Sequence, residues 1–311
     1  MASVVKFPSI LGERKYESHN VLTSITDKKK IIASASSISV QESIQDIDMV
    51  DRDNPQAVAE YVKEIYAYLL EQEMKFAPPP GYLATAQTEI TSKMRSVLVD
   101  WISEVHTRLK LANESFFHAV TIIDRFLAKK KIAKSQLQLV GIACLLIASK
   151  FEESYTPCVK TFLYMSGQTY RRRELLEMEK VVLNTLKFQL SNPTSITFLR
   201  RYARIAGMSN RDRYLSFYLA ELSQIEYKLL SFAPSMVAAS CVLLSHKLAR
   251  MEKPWSHTLR HYSGYSESDL SECVKLIENT IRKYNSCKLN AMRQKYGKER
   301  YYKVSSSIDH M

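Results

Sequence analysis

Residues 137–151, Leu-Gln-Leu-Val-Gly-Ile-Ala-Cys-Leu-Leu-Ile-Ala-Ser-Lys-Phe, are apolar on every side of a helix. Such a helix has no face to offer solvent and must be enclosed by other helices. Its small residues Gly141, Ala143 and Ala148 let neighbouring backbones come close. A second segment of this kind, residues 234–248, follows 97 positions later. Aligned, Val140 and Val237, Cys144 and Cys241, Leu146 and Leu243, and Lys150 and Lys247 coincide, while Gly141 and Ala143 face Ala238 and Ser240. An amphipathic helix precedes each, over residues 116–127 and 214–230. Two copies of a helical bundle with a buried central helix are expected, joined at Asn192-Pro193.

The rest of the chain fits an all-α fold. Residues 1–53 are rich in Ser, Thr, Asp and Lys without an apolar period, which predicts a mostly disordered tail. Asn54-Pro55 reads as a helix start. Val58, Tyr61, Val62, Ile65, Tyr68 and Leu69 then recur at helical spacing to about residue 76, and Pro78-Pro79-Pro80-Gly81 ends the segment. Beyond it the periods stay helical, with no alternating strand pattern.

Composition narrows the chemistry. Seven glycines in 311 residues include no Gly-x-Gly, so neither a dinucleotide fingerprint nor a phosphate-cradling loop is present. Cys144, Cys158, Cys241, Cys273 and Cys287 form no Cys-x-x-Cys pair, arguing against a zinc site and for reduced thiols. The seven histidines include no His-Glu-x-x-His, and no acidic cluster has metal spacing; no metal, cofactor or catalytic residue is expected. Leu139 to Ala148 is the longest apolar run, about half a membrane span. Lys6 and Pro8 interrupt any signal peptide. The expectation is a soluble intracellular protein. Its net charge of +12 lies beyond residue 53, since residues 1–53 carry −1. That basic part, with clusters at Lys129 to Lys131, Arg171 to Arg173 and Arg200, Arg201 and Arg204, suits acidic or phosphorylated partners as well as nucleic acid.

Residues 91–109 carry two apolar stripes. Val99, Ile102, Val105 and Leu109 form one; Met94, Val97, Leu98 and Trp101 form another, with Glu104 a turn further on. A surface helix of one bundle needs a single stripe. Either both enter the core, or the second floors a groove rimmed by acid that awaits a partner peptide.

Met94-Arg-Ser-Val-Leu-Val-Asp-Trp101 resembles the signature of the cyclin box. Ile123-Asp-Arg-Phe-Leu127, Leu137-Gln-Leu-Val-Gly141, Ala148-Ser-Lys-Phe-Glu-Glu153, Thr169-Tyr170 and Met178-Glu179 follow at that family's spacing. Asn54-Pro-Gln and Glu60-Tyr-Val-Lys-Glu-Ile-Tyr-Ala-Tyr-Leu69 look like the helix that precedes the box in B-type mitotic cyclins. The resemblance runs over about residues 54–305, to Lys295-Tyr296. It implies two tandem five-helix bundles: a tail over 1–53, a leading helix over 54–80, a first box over 81–191 and a second over 192–305.

The resemblance also implies function. Cyclins have no catalytic chemistry; they bind and activate a cyclin-dependent kinase as a heterodimer and dock its substrates, here at the G2/M transition and in mitosis, in nucleus and cytoplasm. Lys150 and Glu179 match the pair that bonds the kinase backbone, with apolar contact from Tyr61, Ile65, Tyr68, Phe151, Leu183 and Phe188. Met94, Val97, Leu98, Trp101, Glu104, Leu137 and Gln138 match the groove for Arg-x-Leu peptides of substrates and inhibitors, Glu104 taking the peptide's cation. Arg95 and Asp124 match a structural ion pair. Arg200 and Arg213 fall on two positions of a phosphate pocket. Phe217 stands where the family has Lys, and Arg201, Arg204 and Arg211 are candidates to compensate.

A-type cyclins share many of these features. A DNA-bound transcription factor with a double cyclin-like core is the rival class, but such factors usually carry a cysteine-rich zinc ribbon, for which this sequence has no Cys-x-x-Cys pair, and lack the residues around Trp101, so neither nucleic acid nor membrane is expected as a partner. Mitotic relatives are destroyed by a ubiquitin ligase through an Arg-x-x-Leu or Lys-Glu-Asn box in the tail. Here Arg14 and Arg52 lack the leucine and no Lys-Glu-Asn occurs, so the expectation is a divergent signal around residues 14–20, another route, or no destruction at mitotic exit. The matches at 95–98, 108–111, 172–175 and 173–176 fall in segments that read as helix.

Overall fold

The computed structural model describes Ile44 and residues 46–308. Among them are thirteen α-helices and no strand. The leading helix α1 spans Val62–Lys75, and the short α2 spans Tyr82–Ala86. The first bundle comprises α3 (Ser92–Leu109), α4 (Asn113–Leu127), α5 (Leu137–Glu152), α6 (Val159–Met165) and α7 (Arg172–Thr185). The second comprises α8 (Ser195–Ile205), α9 (Asn210–Ser223), α10 (Pro234–Leu248), α11 (His257–Ser263) and α12 (Glu267–Ser286), with α13 (Ala291–Tyr296) following.

The two all-apolar segments are the central helices. From Leu139 to Ser149 every residue of α5 is buried, enclosed by α3, α4 and α7. Residues 237–246 of α10 are buried without a gap, against α8, α9 and α12. Gly141 shows why small residues are needed there: a Cβ at this position would meet Leu98 Cδ1 at 2.7 Å. Any larger residue would force the Leu98 side chain, which fills the space between α3 and α5, to move.

Three expectations need correction. The leading helix starts at Val62, not at Asn54. Asn54 caps only a 3-10 turn, Pro55–Ala57, and Val58 then takes a φ of 51°, through which no α-helix continues. Residues 46–53 depart from the expected disordered tail. The Asp48 carboxylate accepts from both terminal nitrogens of Arg201 at 2.6 and 2.8 Å, and those bonds hold the Asp48 carboxyl below its ordinary pKa. Residues 1–43, including the candidate destruction signal around Arg14, lie outside the described residues. The helix expected over 214–230 stops at Ser223, and Tyr227–Ser231 forms a 3-10 turn that packs beside α3.

Polar contacts lock the bundles together. Arg95, wholly buried on α3, gives Nε and Nη2 to the two Asp124 oxygens at 2.6 and 2.7 Å, and Nη1 to the Gln224 carbonyl at 2.7 Å. Tyr82 Oη adds a bond to Asp124 at 2.8 Å. On another face of α3, Asp100 accepts from Tyr284 Oη at 2.7 Å and from the Ala291 backbone N–H at 3.2 Å, which ties α12 and α13 to the first bundle. Burial raises the Asp100 pKa, opposed by these bonds. Two faces of α3 are thereby committed to packing.

Candidate partner-binding surface

The remaining face of α3 carries the second apolar stripe. Met94, Val97, Leu98 and Trp101 line an open groove of about 520 Å³ with Leu137 and Gln138 from the start of α5. Val97 is 51% exposed, an apolar side chain with no core to serve. Leu98 differs: it is buried, and its methyl groups pack over Gly141. The two stripes therefore divide by position, with Leu98 belonging to both core and groove floor. Gln138 is oriented by Tyr170, whose hydroxyl donates to its Oε1 at 3.2 Å.

The acidic rim is absent from the groove lining. Glu104 takes Arg108 Nη2 at 2.5 Å, an i,i+4 pair, and does not line the groove. The charged residues that do line it are Lys93 and Lys134.

A second surface assembles around α5 and α7. Lys150 Nζ donates to Glu179 Oε1 at 2.5 Å, with the lysine side chain 47% exposed and the glutamate largely enclosed. Phe151 and Phe188 are exposed and Leu183 is half-buried. Phe188 is presented by a sharp turn, since Lys187 and Phe188 have φ of 52° and 57°. Two successive non-glycine residues in the left-handed region are costly, on the order of 1 kcal/mol or more each, and such strain concentrates at functional sites. Phe151 also packs edge-on against His118, which bonds Glu152 Oε1 and the Leu190 carbonyl.

Tyr61 at the start of α1, and Ile65 and Tyr68 along it, lie exposed. The other side of the helix is held by polar contacts. Glu73, buried, accepts from the backbone N–H and the hydroxyl of Ser235 at 2.8 and 2.7 Å, at the start of α10. Burial raises the Glu73 pKa, opposed by the Ser235 bonds. The apolar period of this helix is thus split: Tyr61, Ile65 and Tyr68 are free, while Leu69, with Tyr66 and Leu70, packs on the core beside the Glu73 anchor. Sequence reasoning passed over Tyr155 and Tyr164, which are 93% and 68% exposed; Tyr155 lies in a loop and Tyr164 in the two-turn α6, and neither setting gives a sustained periodic signal.

Arg200 and Arg213 share a pocket of about 440 Å³ with Arg204 and Phe217. Its charge is partly spent inside the molecule. Arg200 Nε donates to Glu114 Oε1 at 2.5 Å and the guanidinium sits 5.7 Å from the Phe217 ring centre; Arg213 bonds Asn210. Arg201 does not compensate for the missing lysine. It is held by Asp48 between the rings of Tyr66 and Tyr262, at 4.7 and 5.4 Å. Arg211 lies 3.9 Å from Asp212 and does not line the pocket. Glu152 and Glu153 also have structural partners: Glu153 accepts from Ala112 N and Ser115 Oγ at the start of α4.

The pattern described as "Cyclin, N-terminal domain" matches residues 64–191, and "Cyclin, C-terminal domain" matches residues 193–310. The chain is 38% identical over 270 residues to the G2/mitotic-specific cyclin-B of Dictyostelium discoideum, covering 86% of this chain and 62% of that one. It is 39% identical over 300 residues to Cyclin-A2-1 of Oryza sativa subsp. japonica, covering 94% and 60% respectively. The chain thus spans about three fifths of the length of these curated relatives. Among solved structures, a viral cyclin from herpesvirus saimiri matches with a TM-score of 0.61 at 23% identity, over 68% of this chain and 95% of that one. The yeast RNA Pol II CTD kinase CTDK-1 complex matches with a TM-score of 0.56 at 13% identity, over 71% and 74%. Those likenesses establish the fold alone. With both domains matched in order and relatives close to both the A and the B type, the chain belongs to the cyclin family.

Proposed function

We propose that this cyclin is a regulatory subunit without catalysis of its own, which binds and activates a cyclin-dependent Ser/Thr kinase at the G2/M transition and in mitosis, in nucleus and cytoplasm. The observation that carries the reading is the exposed apolar surface around the pair of Lys150 and Glu179, a charged pair set among Phe151, Leu183 and Phe188. Apolar side chains beside a charged pair suit an interface that gains affinity from burial and register from polar bonds. An interface of this type buries on the order of 2,000 Å².

Replacing Lys150 and Glu179 together by Ala removes both charges and leaves neither stranded. Kinase affinity, read by calorimetry, is expected to fall by about tenfold or more, since charge-assisted bonds contribute about 1.5–3 kcal/mol each. The melting temperature should stay within a few degrees of the parent. A double variant that binds and activates the kinase normally would refute the assignment.

In the same reading the α3 groove docks substrates and inhibitors independently of activation. Val97→Asp places a carboxylate on its apolar floor at an exposed position. Phosphorylation of a docking-dependent substrate should drop, while turnover of a short generic peptide and thermal stability stay unchanged. Leu98 is unsuitable for this test, because truncating a buried leucine costs about 2–5 kcal/mol through the core. Loss of generic turnover in Val97→Asp would count against separate surfaces.

A further inference from the structure

The exposed rings of Phe151 and Phe188 come from separate segments, and one buried side chain bonds beside each. His118, on α4, is 2% exposed. Its Nδ1 stands 2.8 Å from Oε1 of Glu152, the residue after Phe151. Its Nε2 stands 2.9 Å from the carbonyl of Leu190, two residues after Phe188. The Phe151 ring meets the imidazole edge-on, with ring centres 4.8 Å apart. Two turns further along α4, Arg125 Nη1 donates to Asn192 Oδ1 at 2.8 Å, so the same helix holds the segment leaving the turn at a second point.

Neither partner depends on the imidazole. The Leu190 carbonyl already accepts from the Asn192 N–H at 2.8 Å, and the Glu152 side chain is partly exposed to solvent. Enclosing a polar ring costs desolvation that an apolar residue would avoid. We infer that His118 is a positioning residue for the kinase contact, setting the spacing of Phe151 and Phe188 and holding the left-handed turn that presents Phe188. The inference rests on this surface being the kinase site and names what keeps it in shape. Lys187 and Phe188 both hold positive φ, a conformation that persists only where surrounding contacts fix it. A ring already in place need not be ordered on binding, so affinity follows the fraction of time the pair stands correctly. Of the two bonds, the one to Leu190 restrains the turn.

The test uses the whole chain and a panel of recombinant cyclin-dependent kinases, taking the one bound most tightly. Affinity is read by calorimetry, with the melting temperature beside it. His118→Leu keeps an apolar side chain against Phe151 and removes both bonds, so affinity should fall about fivefold. His118→Gln places its amide nitrogen near the position of Nε2, restores a donor for Leu190 and should bind within about twofold of the parent. His118→Asn is too short to reach Leu190 and should bind as weakly as the Leu variant. In a chain carrying Phe151→Ala and Phe188→Ala, His118→Leu should cost no further affinity, because it acts through those rings. Equal affinity of the Gln and Asn variants would refute the link to the turn. A lower melting temperature with unchanged affinity, or an undiminished loss in the double-Ala chain, would show that His118 serves the fold alone. Either result overturns the inference while the kinase surface stands. If no kinase binds, or if Phe151→Ala with Phe188→Ala leaves affinity intact, the surface reading fails and takes this inference with it.

Discussion

Asp124→Asn is expected to lower the melting temperature by about 10 °C, although it removes no carbon and leaves the shape of the site nearly unchanged. The Asp124 carboxylate is wholly buried and answers three donors: Arg95 Nε, Arg95 Nη2 and Tyr82 Oη. An amide in its place offers one oxygen and turns an N–H₂ towards a guanidinium that is also wholly buried. The destabilisation comes from the stranded cation, at about 3–5 kcal/mol, more than from the lost bonds. The effect should spread beyond the first bundle, because the same guanidinium bonds the Gln224 carbonyl at the end of α9. Arg95→Met combined with Asp124→Leu removes both charges, so the double variant should be more stable than Asp124→Asn alone. Simple additivity in calorimetric melting would show that the pair is not coupled.

The contrast between this pair and the groove explains what could be read from residues alone. An ion pair on two adjacent helices, with a motif around each partner, leaves a trace in the sequence. So do two helices with no polar face, since solvent exclusion is written in their composition. The turn at Val58 leaves none, because a β-branched residue gives no warning of a positive φ. The hubs that join distant segments are equally silent. Glu73 with Ser235, Asp100 with Tyr284, and Glu221 with Lys295 join residues between 74 and 184 positions apart, and each partner taken alone looks like an ordinary surface polar residue. Met94, Val97 and Trp101 were legible as a stripe because helical spacing places them on one face. Which charges line the groove beside them was not, because Lys134 comes from another segment. At the arginine pocket the missing information was of the same kind: Glu114, 86 positions before Arg200, takes its charge.

Acid should weaken the fold through one histidine. His106 lies on the α3 face that meets α13, with Nε2 placed 2.9 Å from the Ala112 carbonyl, the geometry of a neutral ring that donates from Nε2. Nδ1 is buried without a hydrogen-bond partner. A second proton would place an N–H there with nothing to accept it, near the buried ammonium of Lys295. Burial, then the Lys295 charge, pushes the His106 pKa down to about 3. In the unfolded chain the ring takes its proton near about 6.5. Between those values the unfolded state holds more protons, so stability rises with pH. The contribution is complete above the unfolded value and is lost as pH falls towards the folded one. Asp100 and Glu73, whose pKa values are raised, give the opposite slope nearer the ordinary carboxylate range, so the clean window lies between about pH 7 and pH 5. Across it, His106 should account for about 2 kcal/mol of lost stability, one and a half pKa units of linkage. His106→Gln keeps a donor for Ala112 and cannot take the proton. Urea unfolding at several pH values should show the parent losing that stability on acidification and the variant losing distinctly less, with the other histidines cancelling in the difference. Parallel curves for the two proteins would mean that His106 is protonated in the fold without cost.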